Sequence, residues 1–382
     1  MFVEASYRIK NSVVRQLSDL IEENNWTRLF EAALKDVREY NIAELRDVSD
    51  LESYFEWLDS LLRWTPRETY VGDEIYKRVS EFYFILNQKS LKSLQNTILP
   101  QESSKNSTPL SAWMVAFAHE MGLYMDSEAS VNEGSLESFL KSPKFKMNDY
   151  MPPPSGYKTF NQLFARHIKP GARPIDNLND DSVIVSAADS TLVGVWDIDS
   201  NSTVHVKSLD WSIDELLKES PYRNRFSGGK FIHSFLNTYD YHRLHTPVSG
   251  VVLESRVILG RVYMDVVATP DEEGEASSHR IHRLHVQDGT GYQFAQARGL
   301  IVLDSPIGLV AVLPIGMAQV SSVVMTAEVG KTLHKGEEFS YFQFGGSDHI
   351  VLFEAACNIN LTAQPNVHYN QGQAIGVAYP NS

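Results

Sequence analysis

Asp181-Ser182-Val183-Ile184-Val185-Ser186-Ala187-Ala188-Asp189-Ser190-Thr191-Leu192-Val193-Gly194-Val195-Trp196 is where the chain changes character. Val183-Ile184-Val185 and Leu192–Trp196 are short β-rich runs bounded by turn residues, the pattern of strands. Similar runs recur at Val251–Leu253, Val262–Val267, Leu300–Leu303, Leu309–Leu313, Val320–Met325, Ile350–Phe353 and Ile375–Ala378. Many short strands with Gly and Pro between them predict an antiparallel sandwich or barrel. Gly330–Glu337 (GKTLHKGE) reads as a turn between two such strands.

Upstream the periodicity is helical. Val13, Leu17, Leu20 and Ile21 follow the i, i+4, i+7, i+8 spacing of one helix face. Ser49-Asp50-Leu51-Glu52 has the form of a capping box. Leu51, Phe55, Leu58 and Leu62 form the apolar stripe behind it, and Pro66 follows its end. Ile75, Val79, Phe82 and Leu86 give a further stripe, and aromatic residues at this spacing are core before they are ligand contacts. Between the two regions, Met151–Gly156 (MPPPSG) excludes helix and central strand. A short amphipathic helix is expected over about Phe160–Arg166, and Lys169–Pro174 (KPGARP) turns the chain. The expected class is therefore α+β. A helical N-terminal domain spans 1–146, a connector 147–180, and an antiparallel β-rich domain 181–382.

At about 100–200 residues per domain, 382 residues suggest two or three domains. Aromatic residues are 11% of the chain, which rules out disorder as the dominant state. The net charge of −14 argues against a nucleic-acid partner. No polybasic run is present to hold an anionic membrane, and stable membrane insertion is not expected. The most apolar stretch, Gly299–Met317, is broken by Asp304, Pro306 and Pro314 and reads as strands and turns. The single cysteine, Cys357, cannot form an intramolecular disulfide, and the opening MFVEASYRIKNSVVRQL lacks the apolar core of a signal peptide. A cytoplasmic protein is expected.

Three places in the β-rich part could carry chemistry. In Asp240-Tyr241-His242-Arg243-Leu244-His245-Thr246-Pro247, His242 and His245 are either a pair of proton-transfer groups or two satisfied structural histidines. On a helix or turn they could share a face, whereas on an extended strand they would point to opposite faces. In Phe342–His349 (FQFGGSDH), Gly345 and Gly346 permit an unusual backbone that would bring the Ser347 hydroxyl to its own preceding carbonyl; the plain alternative is a β-turn. Asp189 is a carboxylate at a strand end, in isolation a turn aspartate, and with a histidine and a serine it completes an Asp-His-Ser set. His279, His282 and His285 invite a metal reading, but no cysteine cluster accompanies them, and no metal is expected.

Taken together, these segments resemble the pyruvoyl-dependent phosphatidylserine decarboxylase family. The family pattern is D-Y-H-R-x-H-x-P, an upstream strand-end aspartate, and a G-S-T or G-G-S cleavage motif before an apolar strand. Here these read Asp240–Pro247, Asp189, and Gly345-Gly346-Ser347 followed by Ile350–Phe353. Phe160–Arg166 (FNQLFAR), Lys169-Pro170, Arg173-Pro174-Ile175 and Gly228-Gly229 extend the likeness, which covers about 160–380. The front half resembles the soluble branch typified by fungal L-tryptophan decarboxylases, through Leu61–Asp73 (LLRWTPRETYVGD) and Phe117–Asp126 (FAHEMGLYMD).

The resemblance implies self-cleavage between Gly346 and Ser347, leaving a pyruvoyl group derived from Ser347 on a 36-residue small chain, Ser347–Ser382. It implies His245 as the base that activates Ser347, Asp189 as the group that holds the His245 tautomer, and His242 as the proton donor to the product α-carbon. The pyruvoyl carbonyl would form a Schiff base with an amino-acid substrate, expected to be a free aromatic L-amino acid, and carry off the electrons as CO₂ leaves. One departure is Asp348, where many relatives have Thr or Ser; its carboxylate could oppose the oxyanion or engage His349. The competing readings are a phosphatidylserine decarboxylase forming phosphatidylethanolamine, and a non-catalytic β-sandwich binding module with Lys331 or Lys335 as its modified lysine. A homodimer is expected by analogy alone.

Overall fold

The computed structural model describes residues 7–270, 282–286, 291–316, 323–344 and 347–380. Helices at Ser12–Glu23, Thr27–Glu39, Leu51–Leu61, Glu74–Leu86, Pro109–Met125 and Glu133–Lys141 make up most of the front part. The expected stripes are their buried faces: Val13, Leu17 and Ile21, then Leu58, then Ile75, Val79, Phe82 and Leu86. The aromatic residues are core. Phe82 stacks on Phe117 at 4.7 Å, and Trp113 lies 5.4 Å from Phe117 and donates its indole N–H to the Val13 carbonyl at 2.8 Å.

The capping box sits one residue later than the sequence suggests. The N-cap is Asp50, whose carboxylate accepts from the Ser53 N–H at 2.9 Å, while the Ser53 hydroxyl accepts from the Asp50 N–H at 3.0 Å. An aspartate caps as well as a serine, and Ser53 is short enough to reach back as Glu52 was expected to do. Asp50→Ala should cost about 1 kcal/mol, read as a lowered urea midpoint at unchanged m-value.

The β-rich part is built on an eight-stranded antiparallel sheet. Its strands, in spatial order, are Thr332–Leu333, Gly250–Ile258, Arg298–Ser305, Gly308–Gly316, Ser347–Phe353, Lys230–Leu236, Ser190–Asp197 and His368–Tyr369. Three-stranded sheets flank it: Val323–Met325 with Glu338–Phe342 and Arg243–His245, and Ile359–Leu361 with Ala374–Ala378 and Val183–Val185. The strand expected at Val262–Val267 instead runs Val266–Pro270, paired with His282–Val286.

Ser347–Phe353 is buried on both sides, so its two faces can be followed separately. Val351 and Phe353 join a core that continues into the helical part, whereas Ile350 and Leu352 join a second core with Trp211, Phe231 and Phe294. The helical part reaches Phe344 directly. Trp64 lies 6.1 Å and Phe160 5.3 Å from it, ring to ring, and Phe160 in turn meets Phe139 at 5.7 Å. Among the described residues no helix is long and apolar enough to cross a membrane.

Candidate functional site

Ser347 opens its strand between two neighbours, level with Gly316 on one side and Leu236 on the other. It is fully buried, and its hydroxyl has no hydrogen-bond partner among the described residues. A buried hydroxyl normally finds a partner. Gly345 and Gly346 lie outside the described residues. Just before them Phe344 is fixed: its N–H donates to the Asn161 side chain at 2.9 Å, and its ring packs near Phe164 at 6.0 Å.

His242 is also fully buried, its ring stacks on Phe164 at 4.0 Å, and neither ring nitrogen makes a hydrogen bond of ordinary length among the described residues, though the Asp240 backbone lies near enough to oppose the lowering of its pKa. Burial, reinforced by the Arg166 charge, holds its pKa well below the usual 6.5. His245 is engaged instead. Its Nδ1 lies 2.7 Å from the Gly336 carbonyl oxygen and its Nε2 3.0 Å from the Tyr241 hydroxyl. A carbonyl can only accept, so Nδ1 carries the proton and Nε2 is the basic nitrogen. Burial lowers the His245 pKa as well. Arg243–His245 forms a strand, with His245 level with Glu338, while the His242 carbonyl accepts from the Phe342 N–H at 2.9 Å. The two rings therefore do not share a helical face.

Asp189 does not hold the His245 tautomer as the resemblance implied. Its carboxylate accepts from Arg173 Nε at 2.8 Å and Nη2 at 2.5 Å, and from the Gln371 N–H at 2.8 Å. The physical reason is competition. Arg173 is 95% buried at its side chain and needs a counter-charge, and a forked guanidinium–carboxylate pair satisfies both groups at once. The Gly336 carbonyl does for His245 what Asp189 was expected to do. Asp189 still acts on His245 through its charge, which opposes the lowering by burial.

The alternation of the strand decides which way Asp348 points. Its side chain lies on the face opposite Ser347, where Oδ2 is 2.6 Å from His233 Nε2 and accepts from the Tyr292 hydroxyl and the Gln293 amide. It pairs with His233 and not with His349. His349 shares the Ser347 face, its Nδ1 has no partner among the described residues, and its pKa is pushed down to about 4, chiefly by burial.

The connector is a clamp as well as a link. Arg166, 1% exposed, donates to the Tyr239 carbonyl at 2.7 Å and the Asp240 carbonyl at 3.1 Å, while Arg243 donates to the Ala165 carbonyl and pairs with Glu338 at 2.6 Å. Asp240 pairs with His368 at 3.1 Å, which raises the His368 pKa and ties the histidine segment to the C-terminal piece. Arg166, Arg173, Tyr241, Gly336 and His349 were not singled out from sequence. The arginines lay within the quoted motifs, Tyr241 stood inside the histidine segment, Gly336 lay in the quoted Gly330–Glu337 turn, and His349 was named only as a possible partner of Asp348.

His282 and His285 lie three apart on one strand, and His282 Nδ1 is 2.8 Å from the Tyr40 carbonyl oxygen; His279 lies outside the described residues. Lys335 is 2% exposed and its ammonium donates to the carbonyls of Asn177, Asp180 and Val183, which removes it as a carrier lysine.

A family model described as phosphatidylserine decarboxylase matches residues 160–377. Phosphatidylserine decarboxylase proenzyme 3 of Schizosaccharomyces pombe is 33% identical over 240 residues, which are 62% of this chain and 22% of that protein. This chain thus spans about a fifth of that relative's length. The phosphatidylserine decarboxylase proenzyme of Fusobacterium nucleatum is 31% identical over 222 residues, 57% of this chain and 67% of its own. Decarboxylase iboD of Amanita muscaria is 27% identical over 235 residues, 58% of this chain and 67% of its own.

Proposed function

The chain belongs to the phosphatidylserine decarboxylase family, and on that premise we propose that it is a self-cleaving decarboxylase acting on the α-carboxylate of a free aromatic L-amino acid in the cytoplasm. Proenzymes of this family carry a pyruvoyl group formed from a serine by self-cleavage. The residues present fit such a group. The observation that carries the reading is the buried Ser347 hydroxyl at the head of a central strand, without a hydrogen-bond partner among the described residues.

Cleavage begins when the Ser347 hydroxyl adds to the Gly346 carbonyl carbon. The peptide becomes an ester as nitrogen leaves and oxygen takes the acyl group. Loss of the Ser347 α-proton then expels the upstream chain as the Gly346 carboxylate, and water replaces the freed nitrogen as ammonia departs. A serine hydroxyl needs a base for the first step. His245, with Nδ1–H fixed on Gly336, presents a basic Nε2 once the Tyr241 hydroxyl yields its place.

The pyruvoyl group supplies an electron sink for decarboxylation. The remaining tasks fall to side chains. Phe164 and Phe342 pack against His242, and Phe344 packs on Phe164 behind it, a shell that excludes water. A histidine whose pKa is held low is a weak base and, once protonated, a strong acid, which suits His242 to deliver a proton to the product α-carbon. Asp348, tied to His233, anchors the start of the strand from its other face.

The printed names of the relatives favour phosphatidylserine as an alternative substrate. The two are separated by CO₂ release from aromatic L-amino acids and from phosphatidylserine in mixed micelles. The expected result is release from the free amino acid; release from the lipid alone would assign the lipid reading.

A further inference from the structure

A cavity of about 240 Å³ lies where the helical part meets the end of the Lys230–Leu236 strand. Its walls include Tyr76, Val79, Leu236, Tyr239, Met264 and Val286. Leu236 is the direct cross-strand neighbour of Ser347, and cross-strand neighbours share a face of the sheet. Residues 235–239, which line the cavity, lead straight into the Asp240–His245 segment. The cavity therefore adjoins Leu236, the cross-strand neighbour of the cleavage serine, at the end of that strand.

Its lining is largely carbon, and several of its polar groups are engaged. Asp73 accepts from Thr69 at 2.7 Å and pairs with Lys77 at 2.8 Å. The Tyr76 hydroxyl accepts from the Val286 N–H at 2.7 Å, Asn237 donates to Asp240, and the Lys144 ammonium rests 5.1 Å above the Tyr239 ring. A flat apolar group finds a matching surface among Val79, Leu236, Tyr239, Met264 and Val286. A dry apolar cavity of about 150 Å³ already accepts benzene, so this one has room for a substituted or bicyclic ring.

The outer wall comes from residues 72–79 and Lys144, all outside the 160–377 stretch that the family model matches. We infer that this cavity is the side-chain pocket for an aromatic amino-acid substrate, and that Val79 and Met264, on its helical and β walls, set the ring it accepts. The inference rests on the decarboxylase reading above, but the cavity exists in the uncleaved chain and can be tested there.

The test is calorimetric titration of the uncleavable Ser347→Ala chain with phenylethylamine, with ethanolamine as control, repeated with Val79→Phe added. Filling the pocket should weaken phenylethylamine by about ten-fold or more. Met264→Phe, which fills the same space from the opposite wall, supplies a second variant if Val79→Phe does not fold. In the cleaved enzyme either variant should raise KM for aromatic substrates while the chain still splits in two. If the wild type acts only on lipid yet phenylethylamine binds and Val79→Phe abolishes it, the pocket stands and the substrate reading falls. Equal binding by both variants, or none by the parent chain, overturns the pocket.

Discussion

Ser347→Ala will stay a single chain. The wild type, denatured and weighed intact, should give two: one ending at Gly346, and one of 36 residues from position 347 to Ser382, its amino terminus blocked by a keto group. The substitution removes one oxygen from a buried site where that oxygen has no hydrogen-bond partner among the described residues, so none of the contacts described there is lost. Loss of cleavage would then report chemistry and not unfolding. The two wild-type pieces should remain associated until denatured. The small piece supplies the strand between Gly308–Gly316 and Lys230–Leu236, pairs Tyr369 with Ser190, and contributes His368 to Asp240 and the Gln371 N–H to Asp189. A single chain in the wild type would sink the self-cleavage reading, and a Ser347→Ala chain that splits at the same bond would move the nucleophile elsewhere.

How much of this was legible beforehand depended on what each residue answers to. Ile350–Phe353 and Leu309–Leu313 read as strands because burial on both faces demands an unbroken apolar run. Their neighbour Lys230–Leu236 did not, because His233 and Ser234 interrupt it. His233 is tolerated in the core only because Asp348, 115 residues away, accepts from it, and no local pattern records that partner. The same holds at the site. Ser347, His242 and His245 could be named from their segments. Local pattern could not show that Arg173 claims the Asp189 carboxylate, or that the Gly336 carbonyl fixes His245, since both depend on chain segments that meet only after folding.

The two histidines should separate the two reactions. In His245→Gln, where the amide can still donate to the Gly336 carbonyl, cleavage should slow on the order of 10²–10⁴-fold, the usual worth of a positioned base. In His242→Phe, which keeps an aromatic ring on Phe164, the chain should still split, while CO₂ release by the cleaved product falls by a similar factor on the order of 10²–10⁴. The pH dependence gives an independent reading. His245 works as the neutral ring, and burial lowers its pKa, so the neutral form persists to lower pH than it would in a free histidine. Cleavage should stay at its full rate as pH falls from 8 through the ordinary histidine range near about 6.5, and decline only below it. Measured as the fraction of intact chain against time after refolding, a rate that halves at or above that value would mean that the base is not a buried histidine. If His242→Phe blocked cleavage while His245→Gln split normally, the roles would be exchanged. A ring nitrogen of His242, on the segment level with Phe342, would then be the base, and the Tyr241–His245–Gly336 chain would be a scaffold.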